Sequence, residues 1–133
     1  MTLVLRFRVE KLIRDKLPQI MRASGLTVFD RQLDGNEFIR CLKLKLVEEA
    51  AEAVAADTPA EVLAELADVL EVILALTQAS GFSPADLETA RLTKLEQRGG
   101  FADRVYNAAV EANEACPALT YYTERPEQYP QVV

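Results

Sequence analysis

An all-α fold, laid out as two helical hairpins in succession, is what this sequence predicts, and three observations carry the prediction. Apolar residues recur at helical spacing through most of residues 11–98. Two Ser/Thr-Pro pairs, Thr58-Pro59 and Ser83-Pro84, stand where helices begin. Glycines stand where helices end, at Gly25, Gly81 and Gly99-Gly100. The plan is bundle-like and has no internal sequence repeat.

The first helix is expected from Lys11 to about Ala23, with Leu12, Leu17 and Ile20 apolar and Pro18 disturbing its early turns. Leu26 to Leu33 is short and β-prone, either an extended linker or one small strand. A second helix begins near Asp34-Gly35-Asn36, whose Asp and Asn suit a cap, and runs to about Ala56. Thr58-Pro59-Ala60-Glu61 matches a capping box, with Thr58 at the N-cap, Pro59 at the first helical position and Glu61 at the third. The third helix then extends to about Ala79. Ser83-Pro84-Ala85-Asp86 opens a fourth in the same manner, which runs to Arg98. Residues 102–115 have the composition of a short fifth helix. Past Pro117, the residues Tyr121, Tyr122, Pro126, Tyr129 and Pro130 indicate an extended arm that docks on a surface. The helical domain so read covers residues 1–106, and a C-terminal tail covers 107–133.

The 133 residues suffice for one domain with a core, but are few for a deep substrate cavity. Half of them are hydrophobic, which favours a folded globule over a disordered chain. The net charge of −6 is unevenly spread. Residues 1–45 hold ten basic and five acidic groups, residues 46–90 hold ten acids and no base, and residues 91–133 hold five bases and six acids. A duplex-binding protein shows a net basic face, so this balance argues against a nucleic acid polymer as partner. It suits a small polyphosphate, with metal-binding acids flanked by anion-binding bases.

Histidine is absent, which excludes His-based acid/base work, Ser-His and Cys-His nucleophile systems, and His-bearing zinc and di-iron sites. Cys41 and Cys116 lie far apart in unlike contexts and read as free thiols of a cytoplasmic protein. Leu3-Val4-Leu5 is interrupted by Arg6 and Arg8, too short for the apolar region of a signal peptide. The most apolar run, Val62 to Leu76, is broken by Glu65, Asp68 and Glu71, so no membrane span is expected.

The informative acids are Glu48-Glu49-x-x-Glu52 and Glu65-x-x-Asp68. Helical carboxylates ordinarily find Lys or Arg three or four residues away; between Lys45 and Arg91 there is none. Residues three apart on a helix lie about 60° apart around the axis, so Glu49 and Glu52 share a face, as do Glu65 and Asp68. The turn at Asp57-Thr58 makes the two helices antiparallel neighbours. Glu49 lies seven residues before Ala56 and Glu65 six after Pro59, which sets them nearly level. Four carboxylates are then expected to converge. The third helix is apolar around most of its circumference, from Val62 and Leu63 to Leu74 and Leu76, and should be buried. Unpaired buried carboxylates need a compensating cation, and oxygen-only ligands select Mg²⁺ or Mn²⁺. Four or five acids suit more than one ion, completed by substrate phosphates. A lone Glu-x-x-Glu reads as a solvated helix face; two level clusters without bases read as a metal site. Glu61, Glu71, Asp86 and Glu88 read as capping or surface acids.

These residues resemble the MazG family of all-α nucleoside triphosphate pyrophosphohydrolases, which includes phosphoribosyl-ATP pyrophosphohydrolase and the dimeric dUTPases. The family pattern, E-E-x-x-E followed a helix later by E-x-x-D, is matched by Glu48 to Glu52 and by Glu65 to Asp68. Lys11-Leu12-Ile13-Arg14-Asp15-Lys16-Leu17-Pro18 resembles the K-L-V-R-D-K-I-P opening of a compact stand-alone subgroup, and Arg98-Gly99-Gly100-Phe101 its closing R-G-G-F. The resemblance covers roughly residues 9–106. It implies a four-helix MazG-like bundle completed by dimerisation, as a homodimer or dimer of dimers. It also implies hydrolysis of a nucleoside triphosphate at the α-β phosphate bond, as house-cleaning of non-standard or excess nucleotides. Glu49, Glu52, Glu65 and Asp68 carry over as Mg²⁺ ligands, and Glu48 as a further ligand or the group orienting the attacking water. Glu48 and Glu49 are thus the catalytic pair.

Phosphates then need bases. Lys94 and Arg98 lie four apart on one helical face, with Arg91 on the same stripe, and the family uses basic residues of this helix. Lys11, Arg14 and Lys16 form a second group, although Arg14 and Asp15 equally read as a structural ion pair. Lys45 is either a phosphate contact or, preferably, an internal counter-charge for the acids. Two alternatives stand beside the leading one: a phosphoribosyl-ATP pyrophosphohydrolase of histidine biosynthesis, and a non-catalytic helical protein that binds nucleotide.

Overall fold

The computed structural model describes residues 2–132, and among these residues it is helical with no strand. The helices are α1 (Leu17–Ala23), α2 (Gly35–Ala55), α3 (Pro59–Ala79), α4 (Pro84–Arg98) and α5 (Leu119–Thr123). The chain separates into two compact units, Met1–Gln97 and Arg98–Val133.

In the first unit, α1 is shorter than its apolar pattern foretold. It begins at Leu17, with Lys16 at the N-cap, so that Pro18 occupies the first turn. There its missing N–H costs nothing, whereas further inside it would break the ladder. Residues 11–14 therefore form a non-helical strap ahead of α1. Gly25 ends the helix at φ 98°, with Leu26 N donating to Met21 O at 3.2 Å in the manner of a Schellman cap. Residues 26–33 are a linker, pinned where Arg22 donates to Val28 O and pairs with Asp30.

Helix α2 opens on a reciprocal capping box: Glu37 N donates to Asp34 Oδ1 at 2.8 Å, and Asp34 N to Glu37 Oε1 at 3.5 Å. At α3 the Thr58 hydroxyl accepts from Glu61 N at 3.2 Å, but Glu61 reaches back to Asp57 N rather than to Thr58. Between α3 and α4, Gly81 at φ 92° closes one helix. Ser83 and Asp86 then exchange hydrogen bonds to open the next.

The centre of the unit is the α2–α3 hairpin, among the described residues the one pair of helices that pack closely along their length. Leu42 and Val72 are its buried apolar residues. The expectation that α3 is buried all round is not met within a single chain: Leu63, Leu66 and Leu70 are exposed, as are Leu44, Val47 and Val54 on α2. Helix α4 does not pack on α2 or α3 of its own chain. Two packed helices have only one contact seam, which leaves the rest of each circumference in water.

In the second unit residues 105–113 have no regular structure, so the helix expected at 102–115 is not formed. The tail past Pro117 is not a plain extended arm either. It holds α5, and Tyr121, Tyr122 and Tyr129 pack on one another, edge-on in both pairs with Tyr122 and tilted between Tyr121 and Tyr129, with ring centroids 5.0–5.7 Å apart. The Arg125 guanidinium lies 4.1 Å over the Tyr121 ring. These rings find one another because the turn after α5 brings Tyr129 back, with Tyr129 N donating to Arg125 O. Among the described residues no helix is long and apolar enough to cross a membrane. Cys41 and Cys116 are both free thiols.

Candidate functional site

The hairpin brings Glu49 of α2 beside Glu65 and Asp68 of α3, and one carboxylate oxygen from each lies within 4.8 Å of the others. The antiparallel turn at Ala56–Thr58 sets the two glutamates level, and the three-residue spacing on α3 adds Asp68 one turn along. Glu49 is 8% exposed, the one buried charged residue among those described. Its Oε2 is buried with no hydrogen-bond partner, and so is Glu65 Oε2. Two orphaned carboxylate oxygens on residues of one acidic cluster are costly unless a cation neutralises them.

Glu52 does not join this group of three, and it is exposed. Because the two helices run antiparallel, Glu52 lies about 4.5 Å nearer the turn than Glu49 while Asp68 lies about 4.5 Å further from it than Glu65, so Glu52 and Asp68 move apart along the seam. Glu52 still acts on its neighbour. Burial first, and then the hydrogen bond and charge of Glu52, raise the Glu49 carboxyl above its ordinary value, against the lowering effect of Lys45.

Glu48 faces a different set of partners. Lys11 Nζ donates to its Oε1 at 3.0 Å, and Lys45 Nζ to its Oε2 at 3.3 Å. The Lys11 hydrogen bond, then Lys45, hold its carboxyl below the usual range despite partial burial. Lys45 also lies 3.3 Å from Glu49 Oε1, one helical turn away. Burial works against its charge, but pairing with Glu48 and Glu49 outweighs burial and raises its pKa. Lys45 is thus an internal counter-charge held by its own helix.

Arg14 does not pair with Asp15. Its Nη2 donates to Asp68 Oδ1 at 2.6 Å, across 54 positions of sequence. No spacing rule links residues so far apart, which is why the partner could not be read beforehand. Lys16 is the N-cap residue of α1, without a side-chain cap bond. Lys94 lies exposed on α4, and Arg98 is the last residue of that helix. Arg91, read as part of the same basic stripe, is taken by Glu88 in a two-bond pair.

Beside Glu48 a small concavity of about 60 Å³ is lined by Glu10, Lys11, Leu12, Cys41, Lys45 and their neighbours. Small-molecule pockets run to roughly 300–1,000 Å³, so a nucleoside finds no enclosed seat there in one chain.

No protein-family model matches the chain, and no solved structure matches it. Over 48 residues it is 48% identical to an uncharacterized protein of Mycolicibacterium smegmatis (strain ATCC 700084 / mc(2)155). The match takes in 36% of this chain and 49% of that relative, so the chain spans about half the length of the protein it matches.

Proposed function

We propose that the chain is a subunit of a Mg²⁺-dependent nucleoside triphosphate pyrophosphohydrolase, cleaving the α-β phosphate bond to give the monophosphate and pyrophosphate. Its substrates on this reading are non-standard or excess nucleotides. One observation carries the proposal: Glu49 Oε2 and Glu65 Oε2 are buried without partners on facing helices, in a group closed by Asp68. Three oxygen donors with no His or Cys fit a hard divalent cation. Glu49, Glu65 and Asp68 would hold it, and Glu52 stands one turn further along α2. A bound Mg²⁺ neutralises phosphate charge and activates water for attack at phosphorus.

The chain's own residues do the rest. Glu48, kept ionised by Lys11 and Lys45, is a weak base but a steady acceptor, suited to orienting a water molecule. Lys11 and Arg14, on the strap beside the acids, and Lys16, at the N-cap of α1, meet the phosphates. Lys94 and Arg98 join them from α4, which on this reading packs against a second copy. Two α2–α3 hairpins, one from each copy, then complete a four-helix bundle through the exposed stripes Leu44/Val47/Val54 and Leu63/Leu66/Leu70.

A panel of nucleoside triphosphates, incubated with Mg²⁺ or Mn²⁺ and assayed for products, tests the activity. Pyrophosphate with the monophosphate is the expected pair. Orthophosphate as the first product, or turnover unchanged by EDTA, overturns the assignment.

A further inference from the structure

The bases around the acid cluster fall into two kinds. Lys45 belongs to α2 itself, reaches Glu48 and Glu49 at three and four residues' spacing, and has a side chain only 18% exposed. Its backbone is fixed in α2, so it stays close to the acids whatever the strap does. Arg14 and Lys11 come instead from the non-helical strap, and their side chains are 57% and 54% exposed. The strap enters through Glu10, whose φ of 47° lies in the left-handed region that side chains other than glycine rarely adopt. It leaves through the first turn of α1 at Pro18. Between these bends, Lys11 Nζ meets Glu48 Oε1 at 3.0 Å and Arg14 Nη2 meets Asp68 Oδ1 at 2.6 Å.

Asp68 is therefore claimed twice. Its carboxylate belongs to the group of three whose buried members, Glu49 and Glu65, each keep an unpartnered oxygen, and it is also the acceptor of Arg14. Arg14 takes only Oδ1 of that carboxylate, but a divalent ion on the same carboxylate would stand within a few ångströms of the guanidinium, and the two cations repel. We propose that Arg14, steadied by Lys11, is a detachable counter-cation that competes with divalent ions for Asp68 and so sets the ion concentration the site requires. Once released, Arg14 is free to swing towards an incoming phosphate, for which its fork geometry is suited. This rests on reading Glu49, Glu65 and Asp68 as cation ligands.

The competition has a modest size. An exposed ion pair contributes roughly up to fivefold, and relief of repulsion adds to it, so loss of the arginine charge should tighten divalent binding roughly three- to tenfold. Calorimetric titration of Mn²⁺ into the full chain, without nucleotide, reads this directly. Arg14→Gln is expected to bind Mn²⁺ more tightly by that factor, and Arg14→Lys to stay within about twofold of the parent. Arg31→Gln removes the same charge from beside Glu37 in the first turn of α2, a turn about 18 Å of helix from Glu49 and beyond the Debye length of about 10 Å at 0.1 M salt, and should change nothing. Misfolding weakens a site and does not tighten it, so the expected direction separates competition from structural damage. Arg14→Gln binding Mn²⁺ no more tightly than the parent overturns the proposal. Glu49→Gln binding as tightly as the parent shows instead that the acids are not the site, and both readings then fall.

Discussion

Glu49 is the residue on which the site turns, and its two oxygens differ: Oε1 lies 3.3 Å from Lys45, and Oε2 is buried and alone. Burial and Glu52 raise its pKa above the ordinary 4.5, so the fold prefers this group protonated. Its stabilising contribution is complete below 4.5 and fades as pH rises through the raised folded value. Glu49→Gln is accordingly expected to leave the melting temperature in EDTA at pH 7 unchanged or higher, while Mn²⁺ affinity falls at least about tenfold. Calorimetry and thermal melts check the two halves separately. Glu37 has the opposite sign. The Arg31 hydrogen bond, then the Asp34 backbone, lower it to about 2. Its contribution is complete above 4.5 and is lost as pH falls towards 2. Glu37→Gln should melt below the parent at pH 7, with the gap closing near pH 2. The clustering of Glu49 with Glu65 was readable from their level positions on two antiparallel helices; the separation of Glu52 from Asp68 follows from the same antiparallel run, which carries them in opposite directions from that level pair.

Helices here are delimited by their caps. Thr58 at the N-cap of α3 accepts from Glu61 N, and Ser83 does the same service for Asp86 N at α4. Both were readable in sequence because the bonds span three residues. Thr58→Ala should cost about 1 kcal/mol in urea unfolding, and Thr58→Ser should restore most of it. An unchanged midpoint would show that the turn is held by other contacts, such as Glu61 on Asp57 N. Where the local signal conflicted, the outcome followed backbone chemistry. Apolar spacing at Leu12, Leu17 and Ile20 pointed to a helix from Lys11, but Pro18 allows only a start at Leu17. The strap thereby freed is what carries Lys11 and Arg14 to the acids. In the tail, Tyr-rich composition misled, since three rings packing on one another stabilise a short helix that composition did not mark.

The single chain exposes 12221 Å². Compact units of these two sizes would expose roughly 8,000 Å² between them, so roughly 4,000 Å² is left uncovered. A standard protein interface buries about 600–1,000 Å² of each partner and obligate ones roughly 1,000–2,500 Å² or more, so this excess is larger than one standard interface covers and leaves room for an extensive assembly. Leu63 alone is 71% exposed in the middle of a helix stripe that continues through Leu66 and Leu70. Light scattering after gel filtration should give twice the chain mass or more, and the melting temperature should rise with protein concentration. Leu66→Glu is expected to abolish the larger species. A monomer that melts at one temperature over a hundredfold range of concentration would sink the assembly.

Short-range chemistry was enough to reveal the helices, their caps and the wealth of unpaired acids, because a cap bond closes within three or four residues and composition needs no fold at all. Long-range packing selected three acids from five, gave Asp68 to Arg14 and Glu48 to Lys11, and left the apolar stripes bare. Those outcomes depend on how two helices rotate against each other and where a strap crosses them. Contacts between residues 37 and 54 positions apart set that geometry, and no local pattern encodes it.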